Sequence, residues 1–147
     1  MFRKQNDSLE VLLVHPGGPF FRNKDDGAWS IPKGEAASGE DLLTRASIEF
    51  EEELGVKPTG RHLELGSIKQ KGGKLVHAWA IEGNLDENFK LISNSITIEW
   101  PPRSGRLTSF PEIDRAEFFT LSVAARKINP AQVPFLLRLN DRLAVNE

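Results

Sequence analysis

The sequence has no cysteine in its 147 residues. That absence excludes disulfide frameworks, thiolate zinc ribbons, cysteine nucleophiles and thioredoxin-like redox chemistry together. Long hydrophobic runs are also missing. The longest unbroken apolar stretches are four residues, as in Val11 to Val14, against the roughly 20 a helix needs to cross a bilayer. The opening residues, Met-Phe-Arg-Lys-Gln-Asn-Asp, turn polar within three positions and carry no apolar export segment. A cytoplasmic protein is the expectation. Charge of one sign is lacking too. Lys+Arg 19 against Asp+Glu 21 leaves a net −2, which argues against bulk electrostatic binding to duplex nucleic acid or to an anionic membrane. What remains, 39% hydrophobic and 27% charged residues, fits one globular domain over residues 1–147. A chain of this length buries about 68–70% of the surface its unfolded form exposes and needs no covalent support.

The near-zero charge hides a strong local imbalance. Between Glu35 and Glu53 there are seven acids (Glu35, Glu40, Asp41, Glu49, Glu51, Glu52, Glu53) and one base, Arg45. Around this segment the patterning predicts alternating elements. Leu9 to His15 reads as a largely buried strand, and Pro16 to Gly27 as a long loop rich in proline, glycine and charge. Ala28 to Ile31 is a short extended piece. Ser38, with Asp41 three positions on, reads as an N-cap, and the Gly- and Pro-free run from Asp41 to Leu54 ends at Gly55 where a C-terminal stop is expected. His62 to Gln70 and Lys74 to Ile81 are strands joined by a Lys71-Gly72-Gly73 turn. Asp86 to Pro111 is a polar excursion with one strand-like stretch, Ser95 to Trp100, and a basic tail at Arg103 and Arg106. A strand at Ala116 to Thr120 precedes a helix capped by Ser122. A last helix runs to about Leu143, with Asn129 as N-cap, Pro130 in the first turn and Gln132 as a capping-box residue, or else with Pro134 at its start.

On a helix at 100° per residue, with Glu49 at zero, Glu53 falls at about +40°, Glu52 at about −60° and Arg45 at about −40°. Leu43, Ala46, Phe50 and Leu54 fall on the adjoining face, which is apolar and suited to pack on a sheet. Clustering Glu49, Glu52 and Glu53 within one turn costs a few tenths of a kcal/mol per pair. Hard divalent cations compensate such clusters, because Mg²⁺ and Mn²⁺ favour carboxylate oxygens. A plain solvated acidic face is the bland alternative.

The segment from Gly34 to Val56 supplies a more specific pattern: Gly34, five residues, Glu40, seven residues, then Ile48, Glu49, Phe50, Glu51, Glu52, Glu53, Leu54, Gly55, Val56. This resembles the box of the Nudix hydrolases over 23 residues, with eight of nine specified positions matching. Ile48 stands where that box has arginine. Arg45, four residues before Glu49, is placed to pair with it instead. Leu9 to Pro19, Gly27 to Glu35 and Phe110 to Phe119 resemble the flanking segments of small bacterial members. Only Met1 to Lys4 remain for the strand that normally comes first, so that strand is expected to be truncated or its role taken by something else.

The resemblance implies an α+β Nudix fold, a mixed β-sheet sandwiched between helices in α/β/α layers. It implies hydrolysis of a phosphoanhydride bond in a nucleoside diphosphate derivative by water attack on phosphorus, with Mg²⁺ or Mn²⁺. A nucleoside triphosphate or a dinucleoside polyphosphate is the expected small-molecule substrate. Carried over by position, Glu49, Glu52 and Glu53 are the expected metal ligands with the Gly34 carbonyl, and Glu53 is the first choice of general base. Glu52 and, from a later loop, Glu112 are the other candidates for the catalytic work. Glu40 is expected to be structural, and Arg45 to orient Glu49. Lys33, Trp29, Arg103 and Arg106 are candidates to bind substrate, with Lys69, Lys71 and Lys74 as further cations; a tryptophan just before the box more commonly packs in the core, which is the other reading of Trp29. His15, His62 and His77 show no metal-ligand spacing and receive no role. The alternative function is a non-catalytic module of the same fold that binds or senses a nucleotide, a reading that Ile48 keeps open.

Overall fold

A computed structural model describes residues 1–33, 41–86 and 89–145. The first strand is short but formed. β1 (Phe2–Gln5) turns through Asn6 and Asp7, both at positive φ (53° and 63°), into β2 (Ser8–Pro16). Asn and Asp tolerate that conformation, and two such residues make the tight turn that suits a twisted hairpin. β1 is a four-residue strand paired with β2 from Phe2↔Val11 to Gln5↔Ser8. β2 is the central strand of this sheet, flanked on its other side by antiparallel β7 (Ile113–Thr120).

The alternation of β2 divides the molecule into layers. Leu12 and Val14 point to one side, where they join Phe50 and Leu54 of α1 (Leu42–Leu54) and Ile113. Val11 and Leu13 point to the other, into a larger cluster with Ala124 of α2 (Leu121–Lys127) and Phe135, Leu136 and Leu139 of α3 (Val133–Val145). Helices thus cover both faces, which is the expected α/β/α arrangement. β3 (His62–Lys69) and β4 (Leu75–Ile81) form an antiparallel hairpin, with Val76, Ala78 and Ala80 turned toward α3. A parallel bridge between Phe2 and Glu82 ties this hairpin to β1, so strand directions are mixed. β5 (Ser95–Glu99) and β6 (Leu107–Pro111) make a further hairpin within the polar excursion, where the sequence suggested one strand.

Helix ends correct three local expectations. α1 begins at Leu42 with Asp41 as N-cap, its carboxylate accepting from the Thr44 amide at 3.0 Å; Ser38, the expected cap, lies outside the described residues. Gly55 ends α1 at φ 71°, in the left-handed region, and its N–H donates to the Glu51 carbonyl. Thr120, not Ser122, occupies the N-cap of α2, and it makes no side-chain capping bond. Ser122 lies within that helix. Asn129 does cap, accepting from the Ala131 amide, but it caps a single 3₁₀ turn, Pro130–Gln132, ahead of α3. Gln132 is fully buried and bonds elsewhere, so it is not part of a capping box.

Candidate active site

α1 carries its acids on different sides, and the sheet decides which of them matter. Leu54 and Phe50 anchor the helix in the core, which turns the neighbouring Glu53 inward to 6% exposure. Glu49, one turn earlier, is half-buried and pairs with Arg45, Nη1 to Oε1 at 3.4 Å. The contact sits in the i,i+4 geometry that orients a carboxylate at a gain of about 0.3–0.5 kcal/mol. Glu52 stands about 60° from Glu49 and about 100° from Glu53 around the helix and is exposed, outside the wall of the cleft described next.

A cleft of about 1100 Å³ opens between α1, the 30–33 segment, the start of β7 and β4. Glu49, Glu53 and Arg45 line one wall, Lys33 and Glu112 the rim, and Lys74, His77 and Trp79 the wall opposite α1. Lys33 is the last described residue before the Gly34–Glu40 segment, and its backbone N–H donates to the Glu53 carboxylate. The other oxygen of that carboxylate, Oε2, is buried and has no hydrogen-bond partner among the described residues. Burial is the main force pushing the Glu53 carboxyl up to about 8, aided by the charges of Glu112 and Glu49; the Lys33 amide and ammonium pull the other way and are outweighed. An acid held this way takes up either a proton or a cation.

The positioning of Lys33 rests on residues far away in sequence. Ser30 pairs with Val14 through reciprocal backbone bonds of 2.8 and 2.9 Å. Gln132 Oε1 accepts from the Ile31 amide at 3.1 Å, and Gln132 Nε2 donates to Ser30 Oγ at 3.1 Å and to Gln70 Oε1 at 3.0 Å. One buried side chain thereby links the strand entering the site to the β3–β4 hairpin. On the opposite side Gly17 passes so close to β6 that a Cβ there would collide with the Pro111 carbonyl. Its amide donates to the Glu112 carbonyl at 2.9 Å, which sets the position of that acid at the rim.

Several expected site residues lie elsewhere. Trp29 is 1% exposed, packs edge-on to His15 and Phe119, and donates its indole N–H to Asp25. It is a core residue and offers no face to a substrate, because the bridge Trp29↔Ile128 pins its backbone beneath α2 and α3. Arg103 and Arg106 sit exposed on the turn between β5 and β6 and are not part of the cleft wall. Gly34 and Glu40 lie outside the described residues. Two residues that received no role prove structural or site-lining. His15 is fully buried, with Nδ1 2.7 Å from Asp114 Oδ1 and Nε2 donating to the Lys24 carbonyl at 2.7 Å, so it ties the 16–27 loop to β7. His77 faces the cleft. A hint for His15 was its place in the buried run of β2; for His77, its alternation with Leu75 and Trp79.

The donor set suits a hard divalent cation. Among the described residues no group of three or more His, Cys, Asp and Glu side chains is gathered closely enough to enclose an ion. Mg²⁺ is commonly held by only one or two carboxylates, with water and substrate phosphates completing its shell. The unpartnered Oε2 of Glu53, beside Glu49 and facing Glu112 across the cleft, fits that mode of binding.

No family model matches the sequence, and no curated protein matches it. Solved structures do. A C. elegans Ap4A hydrolase in a binary complex superposes with a TM-score of 0.65 at 22% identity, covering 98% of this chain and 93% of that one. The NUDIX domain of Shewanella oneidensis NrtR, complexed with ADP ribose, gives 0.63 at 14% identity over 97% of this chain and 82% of that one. A MutT protein from Methanosarcina mazei Go1 gives 0.59 at 16% identity, covering 97% and 90%. The chain has the Nudix fold over nearly its whole length. Among the described residues no helix is long and apolar enough to cross a membrane.

Proposed function

We propose that this protein is a Nudix pyrophosphohydrolase, cleaving a phosphoanhydride bond in a nucleoside diphosphate derivative with the help of Mg²⁺ or Mn²⁺. The observation that carries the reading is Glu53, a buried carboxylate with one oxygen unpartnered among the described residues, set beside Glu49 in one wall of an open cleft. Glu49 and Glu53 would hold the cation, with water and the substrate phosphates completing its shell and Glu52 of the same helix as the further candidate ligand. When bound, the cation neutralises the phosphate charge, polarises the phosphoryl oxygens and acidifies a coordinated water.

The chain's own residues do the rest. Arg45 holds the Glu49 carboxylate through the 3.4 Å contact and so takes over the orienting task of the arginine replaced by Ile48. Lys33 places positive charge at the rim where a polyphosphate enters. In the reaction the water oxygen bonds to phosphorus while the bridging P–O bond breaks, and the leaving phosphate keeps that electron pair. The water proton passes to a glutamate carboxylate that the cation does not occupy, Glu112 where Glu53 is a ligand, and a positioned base contributes about 10²–10⁴-fold in rate.

The test is turnover of ATP, diadenosine tetraphosphate and ADP-ribose with Mg²⁺ or Mn²⁺, scored by phosphate-containing products. Wild-type chain should hydrolyse at least one of them, and Glu53→Gln should lose about 10²-fold or more in kcat while remaining folded. Binding of these nucleotides with no turnover of any would overturn the proposal in favour of a nucleotide-sensing module.

A further inference from the structure

β7 departs from strict alternation just where it enters the cleft. Its pairing with β2 runs from Glu10↔Thr120 to His15↔Arg115 and then jumps to Pro16↔Ile113, so Asp114 is an extra residue with no counterpart on β2. Such bulges bend a strand, re-aim its side chains and gather beside active sites. The consequence is visible in the core. Ile113 packs with Leu12, Val14, Phe50 and Leu54 on the α1 side of the sheet, together with Ala116 and Phe118. Unbroken alternation would put Ile113 on the face opposite to Ala116 and Phe118. The bulge thus seats Ile113 beneath α1 and brings the preceding residue, Glu112, to the cleft rim.

Two side chains hold the bulge. The Asp114 carboxylate is 2.7 Å from Nδ1 of His15, and Nε2 of His15 is 2.7 Å from the Lys24 carbonyl. His15 is fully buried, whereas the Asp114 side chain is 35% exposed and stands outside the cleft wall. From His15 the chain reaches Gly17 in two residues, and the Gly17 amide donates to the Glu112 carbonyl at 2.9 Å. On the other side the Glu112 amide donates to the Asn94 carbonyl at 2.7 Å, and the Ile113 amide donates to Ser93 Oγ at 3.0 Å. We propose that the His15–Asp114 pair is a positioning device for Glu112: it fixes the bulge, and through Gly17 it fixes the backbone that carries the base of the reaction. The inference rests on the pyrophosphohydrolase reading, in which Glu112 takes the water proton where Glu53 is a ligand. Close packing makes the device stiff. A Cβ on Gly17 would come within 2.0 Å of the Pro111 carbonyl oxygen, so the 16–27 loop and the junction of β6 with β7 have no slack between them. A misplacement of about 1 Å in a reacting group costs up to about 10²-fold in rate. An acid at the junction of two strands therefore needs an anchor of this kind.

A double-mutant cycle tests the device, with Asp114 varied in preference to the fully buried His15 so that the chain stays folded. Turnover of ATP, diadenosine tetraphosphate and ADP-ribose with Mg²⁺ is measured for wild type, Asp114→Ala, Asp114→Asn, Glu112→Gln and the double variant Glu112→Gln with Asp114→Ala. Asp114→Ala should lose about tenfold or more in kcat with KM changed by less than about twofold. Asp114→Asn should keep kcat within about threefold, because its amide oxygen still accepts from the His15 ring. Glu112→Gln should lose about 10²-fold or more. Adding Asp114→Ala to it should cost less than about twofold further, since no base is left to misplace. Hydrogen exchange on the metal-free chain gives a readout independent of turnover: the Gly17 and Glu112 amides should exchange about tenfold faster in Asp114→Ala, with the β3–β4 amides unchanged. Wild-type kcat in Asp114→Ala, losses that multiply in the double variant, or unchanged exchange at Gly17 and Glu112 would each overturn the inference. The two readings fail separately. Hydrolysis at the wild-type rate by Glu112→Gln removes the positioning device and leaves the pyrophosphohydrolase standing; no turnover by wild type, with faster exchange at Gly17 and Glu112 in Asp114→Ala, removes the pyrophosphohydrolase and leaves the tie between the pair and Glu112.

Discussion

Replacing Glu53 with glutamine in the metal-free chain should change how stability depends on pH. The folded carboxyl titrates at about 8 and the unfolded one at 4.5, because burial and the neighbouring Glu112 and Glu49 charges disfavour ionisation in the fold. Between those values the folded chain keeps a proton that the unfolded chain has released. The stability belonging to that proton is complete below the unfolded value. It then falls by about 1.4 kcal/mol per pH unit as pH rises, until the folded value is passed. The whole interval corresponds to an upper bound of about 5 kcal/mol, and the part between pH 5 and pH 8 to about 3.5 kcal/mol. Glutamine keeps the shape and the acceptor for the Lys33 amide but does not ionise. Its new N–H groups meet the site of the unpartnered Oε2 at a cost of about 1–3 kcal/mol that does not vary with pH. Slope, not absolute stability, therefore separates the two proteins. Urea unfolding in EDTA at pH 5, 6, 7 and 8 should show the wild-type midpoint falling about 1–3 M further than that of Glu53→Gln across the range. Mg²⁺ or Mn²⁺ at pH 8 should restore wild type and leave the variant unmoved. Parallel pH dependences would refute the account of Glu53 as a buried acid short of a partner.

Two other substitutions probe the supports of the site. Gln132→Leu removes the partner of Ile31, Ser30 and Gln70 in a fully buried position and should cost about 2–4 kcal/mol in urea unfolding, with a weakened cation affinity by calorimetry because Lys33 and Glu53 lose their fixed spacing. A loss below 1 kcal/mol would mean that the network is not a tie. Arg45→Ala should change global stability by less than about 0.5 kcal/mol, yet raise the Mg²⁺ concentration needed for half-maximal stabilisation several-fold; an unchanged Mg²⁺ titration would show that Arg45 does not orient Glu49.

Much of the site was legible because its determinants are local. The cap at Asp41, the left-handed stop at Gly55 and the i,i+4 spacing of Arg45 and Glu49 depend on residues within one or two helical turns of one another. The outcome stayed open where partners are distant. Trp29 reads the same in sequence whether it stacks on a ligand or fills a core, and its burial is decided by Phe119 and Ile128, about a hundred residues on. Gln132 matched a capping-box spacing, but a buried amide goes where the most hydrogen bonds can be made, and those lie on Ser30, Ile31 and Gln70. His15, invisible as a contributor, is held by Lys24 and Asp114 on two different segments.

What the sequence by itself determined was the acidic helix with its spacing, ends and apolar stripe, together with the apolar run that makes β2 a strand and the alternation that makes β4 one. Helix period and strand period are properties of the local chain, so they survive without knowledge of the rest. The tertiary structure alone decided which carboxylate is buried. Glu52 and Glu53 are adjacent and chemically identical, and only the packing of Phe50 and Leu54 on Leu12 and Val14 turns one inward and leaves the other in water. It likewise decided that His77 and Trp79, not Trp29, face those acids, since the two walls of the cleft meet only when the β3–β4 hairpin folds across α1.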